Sequence, residues 1–356
     1  VTVFKHGSIE GGDKLATMKN VRLVISDLFL PKDFAAEVCA GLNLSALKKL
    51  LGHGHSEIFE PMPLENLLCE MFGVASQENT PIAPISAAFD GLGAGHWLRA
   101  DPVHLRLQRD RMLLLSNSGI SAAEAEQISA SLNEHFAGQG MEFFAPHPQR
   151  WYVRLESLPR IRTRTLSQVI GGDVRHALPS GEDAPRWHKV FNEIQMLLFA
   201  HPLNEAREAR GALTINSVWL WGNGHVALPL QKAYGKVSSD DVLVEMFAAA
   251  AGVSFSAWDG QWRETENNAK GGEQLLVWTG LRSALHSGDL AAWRTALQDF
   301  ENGYAQPLWQ ALRAGKIARL QIDILGSDSM RRVQLTRSDT WAFWRRAKRL
   351  EKYSTV

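Results

Sequence analysis

Apolar residues are arranged in two textures along the chain. Val21–Leu30 (VRLVISDLFL) is a nearly continuous apolar run that reaches an acid, Asp27, and then Pro31. A strand buried on both faces of a parallel sheet has this pattern. The end of such a strand is where α/β enzymes carry functional groups, so Asp27 is a candidate site residue. The spacing predicts helices over Leu42–Leu51, stopped by Gly52 and Gly54, and over Pro63–Phe72, opened by proline and closed by Gly73. A Pro/Gly/Ala-rich stretch from Gln77 to Gly95 marks a boundary.

Beyond it the texture changes. His96–Leu115 predicts two strands hinged near Gln108, and Ser121–Phe136 predicts a helix capped by Ser121 with Glu124 three residues on. A strand at Trp151–Leu155, a helix at Trp187–Ala200 and a strand at Ser217–Trp221 complete this middle region. Strand and helix then alternate again: helix Asp241–Ala251, strand Gln274–Trp278, a long helix Asp289–Leu312 and strand Arg319–Leu325. The economical architecture is an α/β core made from both ends, residues 19–95 and 225–330, with an α+β domain inserted at 96–224. Residues 1–18, polar and Gly-rich, are expected to be an extension outside the fold, and residues 331–356 a basic, aromatic C-terminal segment.

Composition narrows the function classes. With 356 residues and 45% apolar content the chain has enough to build a real core, and 38 basic against 38 acidic residues leave no net charge to attract nucleic acid or an anionic membrane globally. Two cysteines, Cys39 and Cys69, are too few for a disulfide framework and are expected to be small core residues in a reducing compartment. No apolar run reaches the roughly 18 residues of a membrane span, and no secretion pattern opens the chain, so the expected location is the cytoplasm. Tryptophan is the outlier, with 12 copies.

The densest polar cluster is HPLNEAREARGALTINSVWLWGNG, from His201 to Gly224. Its His201, Asn204, Arg207, Arg210 and Asn216 suit an oxyanion or phosphate site, or alternatively helix capping and a turn with Arg207 on the solvent face. As a string it resembles the inserted domain of archaeal-type cofactor-independent phosphoglycerate mutases of the alkaline phosphatase superfamily. That family carries HPVNxxRxxxGxxxAN, a strand and RGxG, and His201, Pro202, Asn204, Arg207, Gly211, Asn216, Gly222 and Gly224 match in order. Arg150-Trp151-Tyr152-Val153-Arg154 and the helix after Ile120 fall where the family has its own strand and helix.

The resemblance implies an alkaline-phosphatase-like core sheet flanked by helices, two divalent metals, Mn or Zn, and a serine that forms a phosphoenzyme while phosphate moves between positions 2 and 3 of glycerate. Asp27 matches the first-strand acid. The nucleophile stretch PGSDVA corresponds to MPLENL here, which puts Leu64 at the serine. The family's DxxxHxGD corresponds to Arg282–Asp289: His286 is kept, but its acidic partner is Arg282, a cation that opposes metal binding. A later Asp-His pair is Asp323-Ile324, and no histidine follows His286. Among the substrate-holding arginines, DRRAGR has become Leu114–Gly119 and the arginine of RGxG is Trp221, while Arg99, Arg150, Arg154 and Arg207 remain to hold a phosphorylated or carboxylate ligand.

What the resemblance implies is a scaffold kept and a reaction centre lost. The chain is also similar to the proteobacterial Rpf-type regulatory proteins, through Phe191–Leu198, His201–Gly211 and Asp101–Leu105. The first expectation is therefore a pseudoenzyme acting as a regulatory or ligand-sensing module without a resident cofactor. An alternative is an active phosphoglycerate mutase or phosphatase using Asp27, His286 and Asp323 with two metals, and a third reading is a scaffold for a protein partner. Two further clusters stand beside these. His53, His55 and Glu57 alternate as a small metal site does, or form a solvated turn. Arg345, Arg346, Lys348 and Arg349 near Trp341, Phe343 and Trp344 suit RNA or an acidic partner, but with no nucleic-acid fold the favoured reading is a tail docked by its aromatics.

Overall fold

The computed structural model describes residues 19–116, 119–263, 272–342, 344–345 and 347–353. The expected extension at 1–18, together with Phe343 and Arg346, lies outside the described residues. Twelve strands are described: β1 (Lys19–Ser26), β2 (His55–Phe59), β3 (His96–Gln108), β4 (Arg111–Ser116), β5 (Met141–His147), β6 (Arg150–Leu155), β7 (Ser217–Trp221), β8 (Tyr234–Ser239), β9 (Ser254–Ala257), β10 (Glu273–Trp278), β11 (Ile317–Leu325) and β12 (Met330–Thr336). They form a seven-stranded sheet in the order β2-β12-β11-β1-β10-β8-β9 and a five-stranded sheet in the order β4-β3-β6-β5 with β7 paired to β3.

In the larger sheet β11, β1, β10, β8 and β9 run parallel. Its interior is apolar on both faces, because Val21, Leu23 and Ile25 enter one core cluster while Val24, Leu275 and Val277 enter another. Helices Ser45–His53 and Leu290–Phe300 cover the first face, and Leu64–Met71 and Val242–Ala250 the second. The second cluster also takes in Val103, Leu105, Leu114, Trp219 and Trp221 of the smaller sheet, so the two sheets share a core. The smaller, antiparallel sheet packs its other face on helices Ala122–His135 and Ala184–Phe199. Ser121 forms the expected capping box: its hydroxyl accepts the Glu124 N–H at 3.2 Å while Glu124 accepts the Ser121 N–H at 2.7 Å.

Four segments differ from the sequence reading. Gln77–Gly95 contains a helix, Ile82–Phe89, whose Ile82, Ala83, Ile85 and Ala87 are fully buried; apolar burial outweighs the prolines at its start. Met330–Thr336 is a strand of the larger sheet, so the segment read as a C-terminal tail begins inside the core. His55–Phe59 is the edge strand beside it rather than a loop. Strand alternation sets His55 and Glu57 on one face, 3.4 Å apart and exposed. His53 ends the preceding helix, edge-on to Trp309. The three do not converge on a metal.

The long helix predicted over Asp289–Leu312 is continuous but changes pitch: Leu290–Phe300 is α-helical, Glu301–Ala305 is a π turn, and Gln306–Arg313 is α-helical again. Pro307 has no N–H to give the carbonyl four residues back, and a Cβ on Gly303 would run into the Gly260 carbonyl oxygen. The turn places the fully buried Glu301 carboxylate on the N-terminus of Ser45–His53, where it accepts the Ala46 N–H at 2.7 Å and the Leu47 N–H at 2.9 Å. That helix has no side-chain cap of its own. Glu301→Ala leaves both buried donors unmade and is expected to lower stability by about 3 kcal/mol, measured by urea unfolding. A loss below about 1 kcal/mol would mean that water replaces the carboxylate.

Candidate functional site

Four parallel strands of the larger sheet end at one edge, and the loops that follow them build the site. β1 delivers Ser26 and Asp27, β8 Asp240 and Asp241, β10 Thr279 and the helix Arg282–Ser287, and β11 Gly326 and Ser327. Asp27 has a left-handed backbone (φ 60°), shared by no other described non-glycine residue except Arg109. Its N–H donates to the Leu325 carbonyl at 2.9 Å, which ties the turn to the end of β11. A strained aspartate at a strand end is held by its surroundings rather than by local preference.

Two clefts open over this edge, of about 420 and 1110 Å³, and both are lined by Arg282 and His286. The opposite walls come from the region of the smaller sheet: Arg164, Ser167 and Gln168 over the smaller cleft, and Leu115, Ile170 and Leu213 over the larger. Arg282 sits at the junction. Its Nε donates to Asp27 Oδ2 at 3.2 Å, its Nη2 to Ser26 Oγ at 3.2 Å, and its Nη1 lies 3.8 Å from Asp241 Oδ2. Arg164, exposed on the far wall, has no ion-pair partner among the described residues.

Two carboxyls of this region, Glu65 and Asp240, are pushed towards the neutral form. Burial raises the Glu65 carboxyl above the ordinary range, with the Ser167 hydroxyl and the Arg282 charge pulling the other way, and its Oε2 has no hydrogen-bond partner. Burial likewise raises Asp240, although its Oδ1 accepts the Thr279 N–H at 2.8 Å, and the Asp241 charge adds to the rise. Burial pushes the Cys69 thiol up to about 12, which leaves no thiolate there to react. Leu64, buried at the start of its helix, lines the smaller cleft.

Of the acids and imidazole singled out in the sequence, Asp27 and His286 meet at this edge. Asp323 does not. The strand runs on to Leu325, so Asp323 lies inside β11, fully buried, where it accepts Arg22 Nε at 2.8 Å, Arg332 Nε at 2.6 Å and Gln321 Nε2 at 3.0 Å.

The seven residues expected to hold a ligand lie in the middle region, and none lines either cleft. Arg99 is buried between the Tyr152 and Trp221 rings and donates to Asp101 at 2.6 Å, while Trp221 Nε1 donates to the same carboxylate at 2.8 Å. Arg150 makes a two-point pair with Asp90 at 3.0 and 2.8 Å, and Arg154 pairs with Glu142 on the surface. His201 caps helix Pro202–Ala209 through the Leu203 N–H. Asn204 exchanges two hydrogen bonds with Ile215 at 3.0 and 2.8 Å, and Asn216 does the same with Leu105 at 2.8 and 2.7 Å. Arg207, fully buried, donates to the Leu213 carbonyl and to Glu124. Helix capping and strand stapling thus engage the polar string within the fold, with Arg207 buried rather than on the solvent face. The sequence reading missed Asp240 and Asp241, although they follow a strand end as Asp27 does; Arg164 and Glu65 carried no comparable signal.

No protein-family model matches the chain. The 2,3-bisphosphoglycerate-independent phosphoglycerate mutase of Methanosarcina mazei is 23% identical over 250 residues, which is 64% of this chain and 62% of that enzyme. The chain is related in sequence to these mutases. A probable mutase of the same kind from Geobacter sulfurreducens is 29% identical over 151 residues, 40% of this chain and 37% of that protein. The match thus spans less than two thirds of the relatives' length. Among solved structures, the PH0037 protein of Pyrococcus horikoshii superposes with a TM-score of 0.54 at 13% identity, covering 95% of this chain and 92% of that one. The fold is shared, and it is the alkaline-phosphatase-like α/β fold expected from the sequence. No helix among the described residues is long and apolar enough to cross a membrane.

Proposed function

We propose that this phosphoglycerate-mutase-like chain has given up the serine and dimetal chemistry and uses the same cleft to sense an anionic small molecule, phosphorylated or carboxylate. The observation that carries the reading is the Arg282 guanidinium, which pairs with Asp27 and approaches Asp241. A fixed cation already neutralises the acids that a metal would need, so the residues present do not fit a pair of divalent ions. Leu64 stands at the matched serine position, and Asp323 is committed to Arg22 and Arg332. What the cleft offers instead is Arg164, Arg282 and His286 facing a space of about 420 Å³, with the Ser26, Ser167 and Ser327 hydroxyls beside them. Arginine pairs carboxylate and phosphate oxygens in a planar fork, which suits such a ligand. The similarity of residues 191–211 to Rpf-type proteins makes a regulatory outlet the natural one.

The test is elemental analysis of protein purified without chelator, a 3-phosphoglycerate mutase assay with added manganese, and calorimetric titration of 3-phosphoglycerate and of inorganic phosphate. Near-zero metal, no turnover, and anion binding that weakens about 10-fold or more in Arg164→Ala and Arg282→Ala are expected. Two metals per chain, or turnover abolished by Asp27→Ala, would overturn the reading in favour of an active mutase or phosphatase built on Asp27, Asp241 and His286.

A further inference from the structure

The basic, aromatic end of the chain is not docked in the way its composition predicts. Ala342, Leu350 and Tyr353 are the groups that bury against the core, while Trp341 and Trp344 are 58% and 68% exposed. Two large indoles three residues apart are thus mostly exposed, although burying them was the expected use of such side chains.

Cations surround them. The Arg313 guanidinium lies over the Trp341 ring at 5.5 Å, and Arg337 packs against Gly315 at the end of the same helix. Arg345 pairs with Asp339 at 2.9 Å and also donates to the His53 carbonyl, which fixes the Trp344-Arg345 turn to helix Ser45–His53. Lys348 and Arg349 are exposed and enter no ion pair among the described residues. Asp339 and Glu351 are the acids of this segment, and Asp339 is already neutralised by Arg345. On a chain with no net charge the result is a local positive field around two flat π surfaces.

We infer that this surface binds single-stranded nucleic acid without sequence preference. Indole faces stack on bases of any identity, and the neighbouring cations follow the phosphates. Most of the cations are arginines, whose planar guanidinium both pairs with phosphate and stacks on bases. Among the described residues of the segment the large exposed apolar groups are rings alone, with no exposed Leu, Ile, Val or Met in it, which fits stacking better than insertion into lipid. No helix or ribbon here is placed to read a duplex groove, so single strands are preferred over duplex. The exposure of the two indoles is what reverses the expectation drawn from composition, where nucleic acid was disfavoured.

The experiment is fluorescence anisotropy of labelled oligo(dT) and oligo(U) of about 12 nucleotides, a length within the usual single-strand site size, titrated with the full chain. Tryptophan emission is followed in the same titration. Binding near the micromolar range at ~50 mM salt is expected, with quenched indole emission and a log–log salt slope of about −2 to −3, corresponding to three or four phosphates. Trp341→Ala/Trp344→Ala is expected to weaken binding about 10-fold or more with an unchanged melting temperature, because both side chains are exposed. Arg345→Ala/Lys348→Ala/Arg349→Ala is expected to flatten the salt slope by about 2. Four results would each overturn the inference: no anisotropy change at about 100 times that concentration, unaltered affinity in the double tryptophan variant, equal or tighter binding of duplex, or cosedimentation with phosphatidylserine vesicles in place of oligonucleotide binding.

Discussion

Arg207→Ala is expected to destabilise the protein by about 3 kcal/mol, because it removes a fully buried guanidinium, leaves the Glu124 carboxylate with Arg210 as its cation, and unmakes the hydrogen bond that closes a turn. The Arg207 side chain is fully buried, with Nε donating to the Leu213 carbonyl at 2.7 Å and Nη1 to Glu124 at 2.8 Å. Glu124 belongs to the capping box of helix Ala122–His135, so one guanidinium fixes both the start of that helix and the loop before β7. Burial alone would raise the Glu124 carboxyl; the Ser121 N–H, Arg210 and Arg207 outweigh it and bring the group down to about 2. A depressed carboxyl contributes stability that is fully present above its unfolded value, near 4.5, and is lost as the pH falls towards 2. Wild-type melting temperature should therefore drop through that window, and the drop should be shallower in Arg207→Ala, where Arg210 alone remains to pair the acid. A ligand-binding Arg207 would behave differently, with stability unchanged and anion affinity lost.

Asp323→Ala is expected to cost a similar 3–5 kcal/mol while leaving anion binding in the cleft within about twofold of wild type. The carboxylate is fully buried between Arg22 of β1 and Arg332 of β12, and removing it leaves two largely buried cations facing one another. Burial opposes the charge on Arg22, and the charge and hydrogen bond of Asp323 together with those of Tyr234 outweigh it, raising the guanidinium above its ordinary range. Urea midpoints provide the measurement, with Asp323→Ala/Arg332→Met as the control. If mutual cation repulsion is the cause, the double variant should recover part of the loss. A site role for Asp323 would instead appear as lost binding or turnover in a protein of nearly wild-type stability.

Much of the architecture was legible in the chain itself. A both-faces-apolar run such as Val21–Ile25 can only be a strand with helices on each side, and a Ser121–Glu124 pair ahead of Ile128, Leu132 and Phe136 announces a capped amphipathic helix. These signals are local, because side-chain periodicity follows backbone geometry. Asp27 was legible for the same reason, lying just past a strand that periodicity could place, whereas His286 was reached only through the family resemblance.

What the chain could not reveal was who meets whom. His201, Asn204, Arg207 and Asn216 have the chemistry of an anion site, and their spacing is equally that of caps and staples; only the positions of Ile215, Leu105 and Glu124 in space decide between the two. Asp323 was matched to a strand-end acid through the family resemblance, although the predicted strand already ran on to Leu325, and its pairing with Arg22 and Arg332 appears only in the folded chain. Glu301 gave no sign that it would cap a helix some 250 positions away, since that contact depends on a π turn fixed by Pro307 and by close approach at Gly303. The sequence by itself determined most of the elements and their order, and set a leucine at residue 64. Only the tertiary structure decided that Arg282 lies among Asp27, Ser26 and Asp241, that Arg164 faces it across the cleft, and that Trp341 and Trp344 are mostly exposed. Ion pairs, clefts and exposure depend on distances between residues far apart in the chain, and those distances are set by packing, which no local pattern encodes.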